Sequence, residues 1–416
     1  MSSQLPEHIV NILTKKEHTC YAPGMSINFD ILGNMTVCCA NRKVILGTYP
    51  KNTIMDALKS PELVKLKQQL NNLDFSNGCN VCYKHLASGD YNNTILAKFD
   101  EEHRQKNALH SPYKGDTWFP KVMEFEITNV CNYECIMCGG HWSSQIRANR
   151  EKLPAIPFVY DKNFVKQLEQ FIPHLYKMNF LGGEPFAVPL YYEIWEKVIE
   201  LNPNILVGIT TNGSIYNERI KNLIQRHKNI KLVCSLDSLN PETYSFIRKN
   251  GTLSKVLDNL AKYKELGALS VITFNPMIQN WHEIQDIIRY CQTNNLRLTF
   301  NNVHDPLGGR IKGIHANGDW IKYDNISKTT INVNLKDKLP EVSLFTLPKK
   351  ERIRICNTLK AQKLHTIPEY GVRVQSLIDA LMNFEEKNAE DSTVLAKIHR
   401  GLSNSIIRLL SFNPFR

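Results

Sequence analysis

Long apolar segments are absent from this sequence of 416 residues. No run approaches the roughly 20 consecutive apolar residues of a membrane-spanning helix, so no membrane partner is predicted. The start of the chain also lacks the charged opening and long apolar core of a secretory signal. We therefore expect a cytoplasmic protein, in a compartment where thiols stay reduced.

Acidic residues are scarce relative to basic ones. The chain has 40 Asp and Glu against 51 Lys and Arg, a formal net charge of +11, and 18 basic against 11 acidic residues lie in 307–416. A basic surface attracts nucleic acid, acidic membranes or acidic peptides. No long basic run or patch interleaved with aromatic residues is present, so nucleic-acid binding is an alternative and not the favoured interpretation.

Cysteine, by contrast, is plentiful, with 11 residues. In a reducing compartment that number is better explained by metal ligands than by disulfides. The densest group is Cys131-x3-Cys135-x2-Cys138, directly after an alternating run at 121–128 that predicts a strand. Thiolates are the usual ligands of iron–sulfur clusters, and three of them leave one iron of a 4Fe–4S cluster open. Structural zinc, which prefers four ligands, and core packing are the alternatives.

A second group of thiols lies near the start of the chain. Cys20 and Cys38 flank a predicted hairpin with a two-residue turn at Gly33-Asn34. A Cys-x2-Cys pair, Cys79 and Cys82, follows. Four thiols in this arrangement suit either an iron–sulfur cluster or zinc, and their spacing does not separate the two.

From residue 121 the sequence alternates between predicted strands and helices. Strands are expected at 121–128, 176–181, 205–210, 230–236, 269–275 and 296–302, with helices near 161–172, 189–201, 216–227, 252–266 and 281–294. Such alternation indicates a parallel sheet with crossover helices. Six units are too few for an eight-stranded barrel and suit a partial one.

Short polar motifs follow most of these strands. They are Gly182-Gly183-Glu184-Pro185 after the second strand, Asn212-Gly213 after the third, Ser235-x-Asp237 at the fourth and Asn275-Pro276-Met277 after the fifth. All of them fall at the carboxyl ends of strands, where parallel barrels place their active sites. The three-cysteine group occupies the same position after the first strand.

Weaker candidates lie on the first and last strands. Glu124 and Glu126 alternate with apolar residues, and buried carboxylates are costly unless paired. One of them is therefore a candidate to face a substrate, with a position at the rim as the alternative. Asn301, Asn302 and His304 are similar candidates.

Together these motifs resemble those of the radical S-adenosylmethionine (radical SAM) enzymes over about residues 118–305. The resemblance implies a partial (β/α)6 barrel of the TIM type, in which Cys131, Cys135 and Cys138 hold a catalytic 4Fe–4S cluster. The open iron would bind the amino and carboxylate groups of S-adenosylmethionine (SAM). One electron from an external reductant, such as flavodoxin or ferredoxin, then cleaves SAM to methionine and a 5′-deoxyadenosyl radical that abstracts hydrogen from a substrate.

The same resemblance assigns roles around SAM. Gly182 and Gly183 allow close backbone approach, Glu184 receives the SAM ammonium, and Pro185 completes the motif. The alternative is a tight strand-to-helix turn with an exposed glutamate. Asn212 is expected near the methionine or ribose, with a plain turn as its alternative.

Further SAM contacts are expected on the later strands. Ser235 and Asp237 share one strand face, and Ser235 is expected at the ribose or carboxylate region. Arg248 resembles the arginine that pairs with the SAM carboxylate; the alternative is a solvated arginine at a helix end. Met137 and Met277 are candidates for the adenine side, since a thioether packs well on a ring. Core packing is the alternative for Met277.

The N-terminal thiols carry a second resemblance. Cys20-x12-Gly-x4-Cys38 resembles the opening of SPASM and twitch auxiliary-cluster domains, which favours Cys38 over the adjacent Cys39 as a ligand. Cys79 and Cys82 would complete a second, auxiliary 4Fe–4S cluster. Four thiolate ligands leave no iron open, so electron transfer is the expected role. In many such enzymes this module follows the barrel, whereas here it precedes the barrel.

We therefore predict an α/β protein of four parts. An N-terminal cysteine-rich, twitch-like α+β module at 1–90 and a linker at 91–117 precede the barrel at 118–306, which a mixed, mainly helical extension at 307–416 caps. A peptide or protein is the favoured substrate, because auxiliary-cluster relatives often act on these. The alternative function is a non-catalytic iron–sulfur or zinc protein that binds nucleic acid through its basic C-terminal region. Cys356 is weighed as a hydrogen donor or ligand against buried packing.

Overall fold

The computed structural model describes residues 5–92, 94–106, 119–301, 303, 311–314, 320–324, 329–333 and 342–384. The chain divides into two compact units, Met1–Ser343 and Leu344–Arg416. Within the described ranges, no helix has both the length and the apolar character needed to cross a membrane.

A nine-stranded, mainly parallel sheet organises the first unit. Its strands are β1 (Ser26–Phe29), β2 (Asn34–Thr36), β3 (Gly47–Thr48), β4 (Val122–Phe125), β5 (Lys177–Phe180), β6 (Leu206–Thr211), β7 (Ile230–Ser235), β8 (Leu269–Phe274) and β9 (Arg297–Phe300). They lie in the order β3-β2-β1-β4-β5-β6-β7-β8-β9. Every neighbouring pair from β1·β4 to β8·β9 is parallel.

Twelve α-helices are described in the same unit. They are α1 (Glu7–Thr14), α2 (Ala22–Met25), α3 (Ile54–Leu58), α4 (Pro61–Asn71), α5 (Asn80–Ala87), α6 (Ile95–Lys106), α7 (Lys162–Leu168), α8 (Pro189–Leu201), α9 (Glu218–Arg226), α10 (Pro241–Ile247), α11 (Leu253–Glu265) and α12 (Ile284–Asn294).

The predicted partial α/β barrel is confirmed. All six predicted strands are present as β4 to β9, and the five predicted helices are α7, α8, α9, α11 and α12. Helix α10 was not predicted. In the described part of the sheet the end strands β3 and β9 do not pair with each other, so the sheet is open.

Side-chain caps fix where several of these helices begin. Asp161 accepts a hydrogen bond from Phe164 N at the start of α7. Asn217 caps α9 in the same way, and Asn240 caps α10 ahead of Pro241. A side-chain oxygen at this position satisfies a backbone N–H that the helix leaves unpaired, and proline suits the first helical position.

The turn of the N-terminal hairpin differs from the prediction. β1 and β2 are antiparallel, as expected, but Asp30 N donates to Asn34 O, so three residues form the turn. Gly33 has φ +86°, and the Asp30 carboxylate accepts from Leu32 N and Asn34 N, each at 2.9 Å. The predicted two-residue Gly33-Asn34 turn is therefore wrong, because these bonds stabilise the longer form with glycine in the left-handed position.

Strand β1 joins the N-terminal segment directly to the barrel. It pairs in parallel with β4, from Ser26 opposite Val122 to Phe29 opposite Phe125. The rings of Phe29 and Phe125 stack at 5.1 Å between centroids, and those of Phe125 and Phe180 at 4.8 Å. One sheet and one aromatic row thus run across the boundary predicted between 1–90 and 118–306.

The rest of the chain is described in parts. Strands β10 (Ile311–Ile314), β11 (Trp320–Asp324) and β12 (Thr329–Val333) form an antiparallel sheet. The second unit contains α13 (Lys349–Ala361) and α14 (Gly371–Met382), in agreement with the predicted helical character. Residues 385–416 lie outside the described residues, and the capping role stays a prediction.

The aromatic row makes a stability prediction. Phe125 is fully buried between Phe29 and Phe180. Phe125→Ala should lower the free energy of unfolding by about 3–5 kcal/mol, because it removes buried area and leaves a cavity. Urea denaturation followed by circular dichroism measures the loss.

Phe246→Ala is the matched control, since Phe246 is 51% exposed. It should change the free energy of unfolding by no more than about 0.5 kcal/mol. Equal losses in the two variants would contradict the packing described here.

Candidate functional site

The loops after β4, β5, β6, β7 and β8 meet at one edge of the sheet, because these strands are parallel neighbours. The first loop contains all three predicted catalytic cysteines, and its residues 129–140 are called the thiol loop below. The predicted polar motifs occupy the other four loops. The structure therefore brings the sequence motifs together at the carboxyl edge.

Hydrogen bonds hold the thiol loop in shape. Cys138 N donates to Cys135 O at 3.1 Å, and Cys131 N donates to Ser144 Oγ at 3.2 Å. Asn129 also takes part, since Ser144 N donates to its carbonyl oxygen at 2.7 Å. The three cysteines are thus fixed relative to the residues that follow the loop.

The loop also pairs with the chain at the end of α10. Ile136 N donates to Ile247 O at 2.9 Å, and Glu134 N donates to Lys249 O at 3.1 Å. These two bonds lie on either side of Cys135 and Arg248. The pairing explains how a helix beyond β7 reaches the thiols.

Burial raises the pKa of the Cys131 and Cys138 thiols to about 12, and it raises the pKa of Cys135 as well. Cys135 adds to the upward shift of both neighbours, so the three thiols lie in one another's electrostatic field. Without metal they are protonated at neutral pH, and ligation must displace those protons.

The donor set suits an iron–sulfur cluster by ligand type, since three soft thiols lie in one loop. In the described part of the chain no three Cys, His, Asp or Glu side chains form a group that could hold a metal ion as placed. The fit therefore rests on the chemistry of the donors and their common loop.

A buried ion pair lies beside Cys135. Arg248 Nε and Nη2 are each 2.6 Å from Asp237 Oδ2, and Arg248 Nη1 is 3.7 Å from Cys135 Sγ. Burial alone would lower the pKa of Arg248, but the charge of Asp237 outweighs it and holds that pKa above its usual value. A permanent positive charge is thus fixed next to one thiol. The alternative of a solvated arginine is wrong, because Arg248 is 7% exposed.

Asp237 connects the ends of β7 and β8. Its Oδ1 accepts from the backbone and side-chain nitrogens of Asn275 at 2.7 and 2.8 Å. Its carbonyl accepts from Asn280 Nδ2 at 2.7 Å. Both carboxylate oxygens are therefore engaged within the protein. Ser235, the last residue of β7, is half-buried and lies opposite Thr273 in the register.

The two glycines after β5 have left-handed backbones, with φ +78° at Gly182 and +54° at Gly183. A Cβ on Gly182 would lie 2.9 Å from Thr128 O, and one on Gly183 would collide with Val130 O. Glu184 N donates to Val130 O at 2.7 Å. Because they lack a Cβ, these two glycines lie close to the backbone of residues 128–130, where the chain enters the thiol loop.

Glu184 is fully buried and joins the ends of β5 and β6. It accepts from Thr211 Oγ1 at 2.7 Å, Phe186 N at 3.2 Å and Asn212 N at 2.8 Å. Burial raises the pKa of Glu184 despite these bonds. A carboxylate has about four acceptor positions, so one remains for a further donor. The alternative of an exposed glutamate is therefore wrong. Pro185, the next residue, begins a short 3-10 turn.

Asn212 reaches the thiol loop through its side chain. Its Nδ2 donates to Asn132 Oδ1 at 2.9 Å, and Asn132 Nδ2 donates to Ser214 Oγ at 2.9 Å. Ser214 N closes the ring by donating to Asn212 Oδ1 at 2.9 Å. The turn at Asn212 therefore also contacts the loop that carries the cysteines, and the position of Asn212 near the methionine or ribose stays a prediction.

The two candidates for the adenine side meet in one apolar cluster. Met277 is fully buried in it, and Met137 packs against it half-buried. The other members are Ile136, Ile247, Val303 and Val342. As placed, Met277 is core packing, and the adenine role stays a prediction.

Electrostatic interactions link the four N-terminal thiols through Cys20. Cys79 and Cys82 act on Cys20, and Cys20 acts on Cys38. Burial raises the pKa of Cys20 to about 12 and that of Cys79 to about 11. Asn41 Nδ2 lies 3.3 Å from Cys79 Sγ and can donate to it. These four residues are called the N-terminal thiol set below.

Other candidates from the sequence fall elsewhere. Asn301 is exposed, and Asn302 and His304 lie outside the described residues. Cys356 is fully buried in the second unit, where its thiol lies 3.7 Å from Ile378 O. That environment matches the packing interpretation of Cys356.

Two residues that contact the thiol loop from outside, Asn149 and Arg150, were not predicted from the sequence. Arg150 Nη1 donates to Cys135 O at 3.4 Å, and its Nη2 donates to Cys138 O. The Glu134 carboxylate accepts from Asn149 Nδ2 at 2.9 Å. A signal existed, since polar residues follow the third cysteine within a few positions. The partners of Arg150 are backbone carbonyls and the partner of Asn149 is a side chain, and residue spacing identifies neither.

Residues 125–291 match the family model of the radical SAM superfamily. Among curated proteins the chain is similar to a GTP 3′,8-cyclase of Limosilactobacillus fermentum, 28% identical over 185 residues, covering 43% of this chain and 52% of the relative. A probable GTP 3′,8-cyclase of Methanocaldococcus jannaschii is 28% identical over 179 residues, covering 41% and 55%. The chain thus spans about half the length of these relatives.

Among solved structures the chain is similar to SuiB of Streptococcus suis bound to S-adenosylmethionine. The TM-score is 0.40 at 16% identity, covering 71% of this chain and 61% of that one. A complex of SuiB with its precursor peptide SuiA has a TM-score of 0.35 at 18% identity, covering 54% and 52%.

The ion pair beside the thiol loop makes a testable prediction. Arg248→Ala should lower the free energy of unfolding by about 3–5 kcal/mol, because Asp237 would stay buried without its cation. The midpoint of urea denaturation measures the change. Lys249→Ala, next in the chain and 62% exposed at its side chain, should cost no more than about 1 kcal/mol. Similar costs in both variants would show that the pair is not buried as described.

Proposed function

We propose that this chain, whose residues 125–291 form a radical SAM domain, is an enzyme that reductively cleaves SAM and abstracts hydrogen from a substrate. The observation that carries the proposal is the thiol loop at the carboxyl edge of a parallel sheet. It lies directly against the Gly182-Gly183-Glu184 loop, whose backbone it touches.

Cys131, Cys135 and Cys138 would hold a 4Fe–4S cluster, which supplies the electron for SAM cleavage and an iron without a protein ligand. Arg248 places its positive charge beside Cys135 and favours the thiolate that ligation requires. Arg150 fixes the carbonyls of Cys135 and Cys138 from outside the loop.

The SAM contacts follow from the groups that remain available. Glu184 keeps one acceptor position, which suits the SAM ammonium. The Nε and Nη2 atoms of Arg248 already contact the Asp237 carboxylate. A contact between Arg248 and the SAM carboxylate would therefore use Nη1. Ser235, half-buried at the end of β7, is proposed at the ribose. Asp237 acts through Arg248 and Asn275 as a positioning residue.

A second, auxiliary 4Fe–4S cluster is proposed at Cys20, Cys38, Cys79 and Cys82. The support is that Cys20 interacts electrostatically with the other three thiols, and that burial raises the pKa of all four. Zinc is the alternative occupant. Because β1 lies directly beside β4 in the sheet, this set belongs to the same compact unit as the barrel.

The substrate class has two candidates. A peptide or protein is the prediction from the twitch-like thiol pattern. A nucleoside triphosphate is the second candidate, because the curated relatives are named GTP 3′,8-cyclases. An external one-electron carrier protein, such as a flavodoxin or ferredoxin, is the proposed reductant.

The central activity is tested without knowing the substrate. The protein, reconstituted anaerobically with iron and sulfide, should form 5′-deoxyadenosine when given SAM and dithionite, as measured by liquid chromatography. Cys135→Ala should abolish the product, because it removes one of the three proposed cluster ligands. Cys291→Ala removes a buried thiol that belongs to neither set and should leave the yield unchanged. No product from the unaltered protein would overturn the proposal.

The auxiliary site makes a separate prediction in iron content. The reconstituted chain should contain about 8 iron atoms, and Cys79→Ala together with Cys82→Ala should reduce this to about 4. Inductively coupled plasma mass spectrometry counts iron and zinc together. Four irons with one zinc in the unaltered chain would assign the N-terminal set to zinc instead.

A further inference from the structure

Two carboxylates project from the inner face of the sheet, away from the outer helices. Phe125 packs against Phe164 of α7, so its neighbours Glu124 and Glu126 project from the opposite side of the extended chain. Glu124 is 3% exposed and Glu126 is 8% exposed. Both carboxylate candidates on the first predicted strand therefore lie inside the sheet.

The inner face next to Glu124 is accessible to a ligand. Val207 and Ile209 of β6 are buried, whereas Gly208 between them is half-buried. Its neighbour in the register, Asn179 of β5, is also half-buried and donates to Glu124 Oε1 at 3.3 Å. A Cβ on Gly208 would lie 2.6 Å from Asn179 Oδ1, so the glycine leaves room for that amide on the inner face.

Each carboxylate is paired with a cation from the N-terminal part of the chain. Lys98 Nζ of α6 lies 2.6 Å from Glu124 Oε1, and Arg42 Nη2 binds Glu126 Oε2. These are called the inner-face pairs below. The two glutamates are two residues apart in an extended chain, which places their Cα atoms about 7 Å apart. The four charges cancel, and the side chains of both cations are 35% exposed.

Both cations keep unused hydrogen-bond donors. In the described part of the chain, the side chain of Arg42 donates through Nη2 alone, and Lys98 Nζ makes a single hydrogen bond. A guanidinium has five N–H groups and an ammonium has three, so most of these donors remain for a ligand.

Acceptors also remain on the same face. Glu124 Oε2 has no partner among the described residues. Asn28 of β1 lies opposite Glu124 in the register, and its Oδ1 is unpartnered within the same ranges. Buried acceptors without donors are unfavourable, so a ligand that brings donors to them is favoured.

The close placement of donor and acceptor in each inner-face pair selects among ligand classes. A hydroxyl group donates and accepts through one oxygen atom, so it can contact the cation and the carboxylate of one pair together. The N–H and C=O of a trans peptide group point in opposite directions and cannot do so. A phosphate or carboxylate would add net charge to a neutral, partly buried site. Two neighbouring pairs thus suit a ligand with several hydroxyl groups.

The inner-face pairs lie next to the loop proposed to bind SAM. A Cβ on Gly182 would be 3.1 Å from Glu126 Cα, so the glycine loop touches the chain that carries one of the pairs. A ligand held by the pairs would therefore lie beside that loop.

We propose that the inner-face pairs bind the hydroxyl groups of a polyhydroxylated substrate, an inference that rests on the proposed function and names its substrate class. The two cations donate to hydroxyl oxygens, while Glu124 Oε2 and Asn28 Oδ1 accept from hydroxyl hydrogens. A free sugar and the ribose of a nucleoside share this chemistry. Of the two substrate candidates above, a nucleoside triphosphate has such groups, whereas a peptide backbone has none.

Isothermal titration calorimetry of the reconstituted full chain under anaerobic conditions, with SAM present, tests this subsite. The probes are D-glucose, GTP and 2′,3′-dideoxy-GTP. Glucose or GTP should bind, and dideoxy-GTP should bind about tenfold more weakly than GTP or not at all, because it lacks the hydroxyls that would bond to charged groups. Binding of glucose assigns the subsite to free sugars, and binding of GTP alone assigns it to the ribose of a nucleoside.

Two variants connect the binding to the inner-face pairs. Lys98→Met combined with Glu124→Met removes one pair without unbalancing the charge, and Arg42→Lys keeps the cation that Glu126 requires but removes the fork of donors. Both should weaken the binding of the probe. Arg226→Met combined with Glu196→Met removes an exposed pair on the outer helices and is the matched control, which should bind as the unaltered chain does.

Failure of both glucose and GTP to bind overturns the inference, as does equal binding of GTP and dideoxy-GTP without binding of glucose. Unchanged binding in the folded variants overturns it as well, and circular dichroism shows whether each variant is folded. If the same preparation forms 5′-deoxyadenosine, these results leave the proposed function intact. Absence of 5′-deoxyadenosine overturns the proposed function, whatever the titration shows.

Discussion

The buried contact between Arg248 and Asp237 is the interaction on which the geometry of the candidate site depends. Asp237 connects the ends of β7 and β8 through Asn275 and Asn280, and Arg248 carries that connection to Cys135. A buried carboxylate requires a cation, and a buried guanidinium requires an anion. The pair therefore fixes the position of a thiol relative to the strand ends.

Glu184 makes the equivalent connection on the other side of the thiol loop. Its carboxylate accepts donors from Thr211 and Asn212 after β6, and its backbone nitrogen binds Val130 at the loop itself. The thiol loop is thus linked to two buried acidic residues, to Glu184 directly and to Asp237 through Arg248. The carboxylate of each one also connects the ends of neighbouring strands. These bonds hold the backbone of the thiol loop in place, which limits the backbone reorganisation that binding a cluster would require.

The sequence was sufficient for the fold class and the positions of the motifs, because both depend on local patterns. Strand and helix periodicity located β4 to β9, and the cysteine spacing located the thiol loop. Contacts between distant residues could not be predicted in this way. Arg248 was expected to face SAM, yet two of its nitrogens bind Asp237.

The junction between the N-terminal segment and the barrel also could not be predicted from the sequence. The pairing of β1 with β4 joins residues about a hundred positions apart, and no motif marks it. The hairpin turn is one residue longer than predicted, because the decisive contacts come from the Asp30 side chain. Side-chain hydrogen bonds to backbone compete with turn preferences in ways that composition does not reveal.

The thiol loop is proposed to hold a cluster with one iron open to SAM. Electron paramagnetic resonance of the anaerobically reduced protein tests it most directly, since adding SAM to such an iron changes the signal of that cluster. Two overlapping cluster signals are expected, of which SAM shifts one and leaves the other unchanged, and Cys131→Ala should remove the one that responds. A spectrum that SAM does not alter would contradict it.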